Sequence, residues 1–184
     1  MSQTTVRAIA ASEGMLLRDV RLRALREAPY VFQQTLAEVE GEPDKEWAEW
    51  SAELAADDRR SVALLAFGTD PAAPTGMAGA YLDREHDDEA VVWGAWVDPA
   101  ACGGGAGRLL LEAVIAWPER RGFALLTLRV TETSEPAIRL YRSLGFAELG
   151  CRKPHAHLPG IWEVAMALPL DPCGHEPPSA HCRA

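Results

Sequence analysis

The chain is poor in several things, and each scarcity removes a class of function. Its 184 residues hold four cysteines (Cys102, Cys151, Cys173 and Cys182) with no CxxC spacing, which argues against a disulfide framework. No apolar run approaches the roughly 20 residues that a helix needs to cross a bilayer. Positive charge is scarce. Lys and Arg number 18 against 27 Asp and Glu, a net charge of −9 that argues against a nucleic-acid-binding surface. The first residues, Met1-Ser2-Gln3-Thr4-Thr5, lack the basic and apolar regions of a signal peptide, so a cytoplasmic location is expected.

What is present is ordinary for a globular domain: 48% hydrophobic and 24% charged residues. The length fits one domain, assigned here to residues 1–168, with a proline-rich and aperiodic tail at 169–184 that is expected to be disordered. In that tail Cys173, His175, His181 and Cys182 match no usual zinc spacing, and no metal is expected. The acidic balance suits a cationic acceptor such as an amine, and equally suits plain solubility.

Periodicity gives the order β-α-α-β-β-β-α-β-α-β-β. Strands are expected at Thr5 to Ile9, Ser61 to Phe67, Gly76 to Leu82, Ala90 to Val97, Phe123 to Val130, Phe146 to Lys153 and Ile161 to Leu168. Helices are expected from Ser12, a plausible N-cap, to the residue before Pro29, then from Pro43 to Ala56, Gly105 to Arg121 and Pro136 to Leu144. Alternation places Trp93 and Trp96 on opposite faces of their strand.

The chemistry-bearing stretch is Cys102-Gly103-Gly104-Gly105-Ala106-Gly107-Arg108, between a strand and a helix. Glycines at a helix N-terminus leave backbone N–H groups open to phosphate oxygens. A Walker A loop would end in Gly-Lys-Ser/Thr, whereas Gly107 is followed by Arg108-Leu109. The dinucleotide pattern GxGxxG, begun at Gly103, fails at Arg108.

Taken with Val97-Asp98-Pro99 before it and Ser134-Glu135-Pro136-Ala137-Ile138-Arg139-Leu140-Tyr141-Arg142-Ser143-Leu144-Gly145-Phe146 after it, the glycine run resembles the paired motifs of the GCN5-related N-acetyltransferase (GNAT) family. The resemblance covers Thr5 to about Leu168 and departs from the family at two positions. Cys102 stands where Arg or Gln is usual, and Ser134 where Asn is usual. It implies an α/β (α+β) acyl-CoA N-acyltransferase fold, with a central mixed sheet of about seven strands flanked by about four helices. It further implies acetyl-CoA as co-substrate. The cofactor would lie along Ala95, Trp96 and Val97, with its pyrophosphate on Cys102, Gly103, Gly104, Gly105, Ala106, Gly107 and Arg108, and Ser134 and Ala137 beside it. Arg108 could equally be a solvated helix residue.

Amide formation from a thioester needs a neutral amine, a stabilised oxyanion and a proton for the leaving thiolate. The resemblance gives the oxyanion to a backbone N–H at Trp96-Val97 and the thiolate proton to Tyr141, which otherwise would merely pack. Glu89 is taken as the base; Glu163, His155, His157 and a water chain are the other candidates. Tyr30, Phe32 and Gln33, in a polar-aromatic loop, and Trp162, in the last hairpin, are the acceptor-binding candidates. The expected acceptor is a small primary amine, such as an aminoglycoside-type antibiotic or a polyamine, with antibiotic resistance as one setting. A protein N-terminus or lysine, or a non-catalytic acyl-CoA sensor, are the alternatives. No membrane or nucleic-acid partner is expected, and a homodimer is a possible state.

Overall fold

The computed structural model of the protein describes residues 4–56 and 60–170. Seven strands form one mixed sheet: β1 (Thr5–Ala8), β2 (Ser61–Phe67), β3 (Pro74–Leu82), β4 (Glu89–Val97), β5 (Leu125–Thr131), β6 (Ala147–Pro154) and β7 (Trp162–Pro169). Their spatial order is β1-β2-β3-β4-β5-β7-β6. β4 and β5 run parallel, and the other neighbours pair antiparallel. The helices are α1 (Gly14–Glu27), α2 (Leu36–Glu40), α3 (Asp44–Leu54), α4 (Ala106–Glu119) and α5 (Glu135–Ser143). A parallel pair needs a long crossover, and α4 supplies it between β4 and β5. The proposed tail begins at the end of β7, and from residue 171 on it lies outside the described residues.

Two helical details differ from the expectation. α1 starts behind Glu13 and not Ser12, because the Glu13 carboxylate accepts the Ala10 N–H at 2.8 Å and is gripped by both terminal nitrogens of Arg7 at 2.7 and 2.8 Å. The helix α2 was not foreseen. It carries a local signal, Thr35-x-x-Glu38, and forms the reciprocal capping box that this pattern encodes.

The sheet is buried on both faces around β2. Val62, Leu64 and Ala66 pack toward α4 with Leu110, Leu111, Val114 and Trp117, whereas Ala63, Leu65 and Phe67 pack toward α1 and α3 with Leu17, Val20, Trp47 and Leu54. That double burial explains the unbroken apolar run Ser61 to Phe67. The second cluster takes buried residues from β2, β3 and β4, and none of the described residues of β5, β6 or β7 belongs to it. The helices α1 to α3 therefore cover one half of that sheet face and leave the other half open as a groove.

A bulge in β4 sets up the site. Gly79 of β3 faces Trp93 and Met77 faces Trp96, so one residue of β3, Ala78, opposes two of β4, Gly94 and Ala95. The extra residue is absorbed at Gly94, whose φ of 60° lies in the left-handed region. Because the bulge shifts the side-chain alternation by one, Trp93 and Trp96 fall on the same face, both against the α1–α3 cluster. The expected opposite facing of the two tryptophans is thus corrected. Gly79 makes room for this: a Cβ there would lie 2.3 Å from the Trp93 indole.

Candidate active site

β4 and β5 pair at three positions only, Glu89 with Leu125, Ala90 with Leu126 and Val91 with Thr127. Beyond Val91 the two strands part. The V opens toward Val97 on one arm and Thr131 on the other. On its far edge β4 remains paired with β3 through Trp96 and Val97. The edge of Ala95, Trp96 and Val97 that faces β5 is thus left without a strand partner, as a donor and acceptor ladder for an extended ligand.

At the mouth of the V lies the glycine run. The Asp98 carboxylate accepts the Ala100 N–H at 2.9 Å, and the Asp98 N–H donates to Thr75 at 2.8 Å, fixing the turn that precedes the run. Gly103 and Gly105 adopt φ of 83° and 85°, and Gly105 is the left-handed N-cap of α4, with no side chain capping it. Among the described residues, no backbone N–H from Gly103 to Arg108 donates to a carbonyl. A row of unspent donors at a helix N-terminus fits a pyrophosphate. Gly107 brings the parts together: a Cβ on it would lie 3.4 Å from Leu140 of α5 and 3.7 Å from Val97 of β4.

Three residues beside the run make contacts of their own. Arg108 donates to the Ser143 hydroxyl at 2.7 Å and pairs with Glu112 at 3.5 Å, so its charge is tethered to α4 and α5. Ser134 precedes α5 but its side chain makes no capping bond; it lines the cavity together with Ala137. Cys102 is exposed, with its Sγ 3.9 Å from the Val97 carbonyl.

A cavity of about 730 Å³ runs through the V and along the open half-face of the sheet. Tyr141 of α5 reaches it from one side. It is 7% exposed and packs edge to face on Phe146, with ring centres 5.7 Å apart. Burial pushes its phenol up to about 12, so the hydroxyl keeps its proton at neutral pH. From the other side come Tyr30, Phe32 and Gln33.

The carboxylate candidates separate along the V. Glu89 lines the cavity at the closed end, opposite Leu125. It stands six or more residues from the Ala95–Val97 edge, or roughly 20 Å of strand. Glu163 faces Thr131 across β5 and β7, at the open end. It is 3% exposed; its Oε1 accepts from Gln33 Nε2 at 2.7 Å, and its Oε2 has no hydrogen-bond partner, with the Lys153 ammonium 3.9 Å away. His155 and His157 stand behind this pair rather than on the cavity wall. The His157 Nε2 lies 2.6 Å from the Gln33 carbonyl, and His155 Nδ1 accepts the His157 N–H at 3.2 Å.

Trp162 is a correction. Glu163, Ala165 and Ala167 line the cavity, whereas Val164, Met166 and Leu168 pack on the α4–α5 side. Alternation puts Trp162 with the latter set, outside the cavity, with the Arg152 guanidinium 4.3 Å from its ring.

One residue escaped the sequence reading. Arg21 of α1 is 7% exposed and lines the cavity. Its guanidinium lies over Phe32, Trp50 and Trp93 at 4.9, 5.2 and 5.7 Å. Its Nη2 donates to Gln34 Oε1 at 2.7 Å, while Nε and Nη1 have no hydrogen-bond partner. Burial lowers its pKa to about 10, which leaves it charged at neutral pH. The signal was its place on the apolar stripe, four residues from both Leu17 and Leu25.

A strand pair that splays beside a glycine-capped helix defines a class of acyl-CoA-binding transferase folds, and comparison with known proteins agrees. Residues 21–146 match the Acetyltransferase (GNAT) family, and the chain belongs to that family. The [ribosomal protein bS18]-alanine N-acetyltransferase of Escherichia coli is 41% identical over 85 residues, which is 45% of this chain and 57% of that protein. The chain thus spans little more than half the length of the curated relatives of this kind. A GNAT-family acetyltransferase structure from Streptococcus pneumoniae superposes with a TM-score of 0.76 at 18% identity, covering 91% of this chain and 99% of that one. A Salmonella typhimurium structure solved with acetyl-CoA superposes at 0.72 with 21% identity, covering 98% and 100%. These two likenesses establish the fold, including its mixed seven-stranded sheet.

Proposed function

We propose that the protein is an acetyl-CoA-dependent N-acetyltransferase acting on a primary amine of a small molecule. The observation that carries this reading is the parting of β4 from β5 after three paired positions, beside the unspent amides of Gly103 to Arg108. Those residues suit the donor: backbone N–H groups for the pyrophosphate, and the free edge of Ala95, Trp96 and Val97 for the extended arm. Acetyl-CoA, when bound, supplies an acetyl group activated as a thioester.

The chain's own groups then have distinct tasks. A backbone N–H at the Trp96–Val97 edge is aligned to stabilise negative charge on the acyl oxygen. Tyr141, held neutral by burial, gives its proton to the departing sulfur. Glu163, through its unpartnered Oε2, takes the proton that the amine loses as its nitrogen bonds to the acyl carbon. Glu163 replaces Glu89 in this role because it stands at the open end of the V.

A second reading, acetylation of a protein N-terminus, is favoured by the relatives named for ribosomal protein alanine. The test is release of free CoA thiol from acetyl-CoA with a panel of small amines, aminoglycosides and peptides. Amine-dependent release supports the enzyme, and the responding acceptors separate the two readings. Tight acetyl-CoA binding with no release by any acceptor would leave a sensor module instead.

A further inference from the structure

The acceptor side of the cavity carries two buried, opposite charges, each with an unsatisfied hydrogen-bonding atom. Arg21 is 7% exposed with Nε and Nη1 unpartnered, and Glu163 is 3% exposed with Oε2 unpartnered; both line the cavity. The same loop holds them. Adjacent residues Gln33 and Gln34 reach in opposite directions, Gln33 donating to Glu163 and Gln34 accepting from Arg21, each at 2.7 Å.

A buried cation without a carboxylate is costly unless something offsets its desolvation. Around Arg21 the offset is partial. Three aromatic faces surround it and the Glu42 carboxylate favours its charge without a salt bridge between them, yet two nitrogen positions still lack an acceptor. A guanidinium in this state matches a carboxylate, which can take two of its N–H groups at once. Its Nη1 lies beside the bulge, 3.8 Å from where a Cβ on Gly94 would be, and so next to the arm of the V where transfer takes place.

Resting on the acetyltransferase reading, we propose that the acceptor is a small amino acid, a molecule carrying both an amine and a carboxylate. Its carboxylate pairs with Arg21 and its amine faces Glu163. The molecule's net charge of −9 does not decide the acceptor, because the group that the cavity wall leaves most in need of a partner is a cation. A polyamine has nothing to offer Arg21, and the N-terminal residue of a peptide presents an amide where the free acid presents a carboxylate.

The test compares α-, β-, γ- and longer ω-amino acids with their carboxamides and their decarboxylated amines, by kcat/KM and by calorimetric binding to the protein without acetyl-CoA. At least one amino acid is expected to exceed its own amide at least tenfold in both measures. Arg21→Met is expected to bring that ratio close to one, and Arg21→Lys to restore part of it. A purely structural Arg21 would depress acid and amide together and leave the ratio standing. Equal use of acids and amides by the wild-type protein, or a ratio untouched in Arg21→Met, overturns the proposal. The wild-type ratio decides even where the variant does not fold. Acetylation of amines without any preference for a carboxylate sinks this inference alone. Absence of transfer to any amine sinks the acetyltransferase reading, and the binding ratio still reads the amino-acid site.

Discussion

Tyr141 brings one hydroxyl to a cavity wall that it shares with Val130 and Ala137, and burial lifts its pKa from 10.0 to about 12. The consequence for stability has a definite sign. Below pH 10 both folded and unfolded chains hold the phenol proton, and the contribution is complete. Between pH 10 and 12 only the folded chain retains it, so stability falls as pH rises, by roughly 3 kcal/mol in all. Tyr141→Phe should keep the packing on Phe146, abolish that alkaline loss in denaturant titrations, and lower kcat by about 100-fold. Full turnover in the variant would remove the acid role. For the carboxylates, Glu163→Gln should lower kcat by about 100-fold and Glu89→Gln by no more than a few-fold. Steady-state kinetics in which Glu89→Gln is the damaging change would return the base to the closed end of the V. Legibility at this scale followed locality. Tyr141 was placed by its own helix motif, whereas Arg21 was hidden because a lone cation on an apolar stripe gives no local sign of what it meets. Trp162 was misplaced because its face depends on the register of β7.

Among the elements, β4 shows what a short-range pattern can and cannot convey. Its alternation is clear, but Gly94 inserts one residue against β3 and moves Trp96 to the face that Trp93 occupies. Nothing in the strand's composition marks Gly94 as the bulge and Ala95 as regular, because the choice is made by pairing with Met77 and Gly79. Gly94→Ala should cost about 1–2 kcal/mol, since φ of 60° is unfavourable for a residue with a Cβ. Its neighbours, Met77 Cε at 3.4 Å and Phe32 Cε1 at 3.5 Å, would be in ordinary contact, so backbone strain is the main term. The urea midpoint measures this, and an unchanged midpoint would show that the bulge tolerates a side chain. The glycine run at the start of α4 was the easier feature: its function depends on backbone donors at one helix end, which a dozen consecutive residues determine. The helix α2 was missed despite its capping box, being only five residues long.

Over the whole molecule, the sheet is one platform with two uses. Around β2 it is covered on both faces and supplies much of the core, while the β5–β7–β6 half is bare on the face where the cavity runs. The element order from Thr5 to Leu168, α2 excepted, was readable because the longer strands and helices each carry their own period. The V was not, since it arises where strand positions 36 residues apart in sequence pair, the last of them Val91 and Thr127, and the strands then part. That parting is the centre of the account: it is where the donor is held and where the acceptor meets it. Hydrogen–deuterium exchange with and without acetyl-CoA tests it most directly. Protection on adding acetyl-CoA is expected in the peptides spanning 95–97, 102–108 and 134–141, with the β1–β2 edge unchanged. Saturating acetyl-CoA that protects none of these segments, or only others, would contradict it.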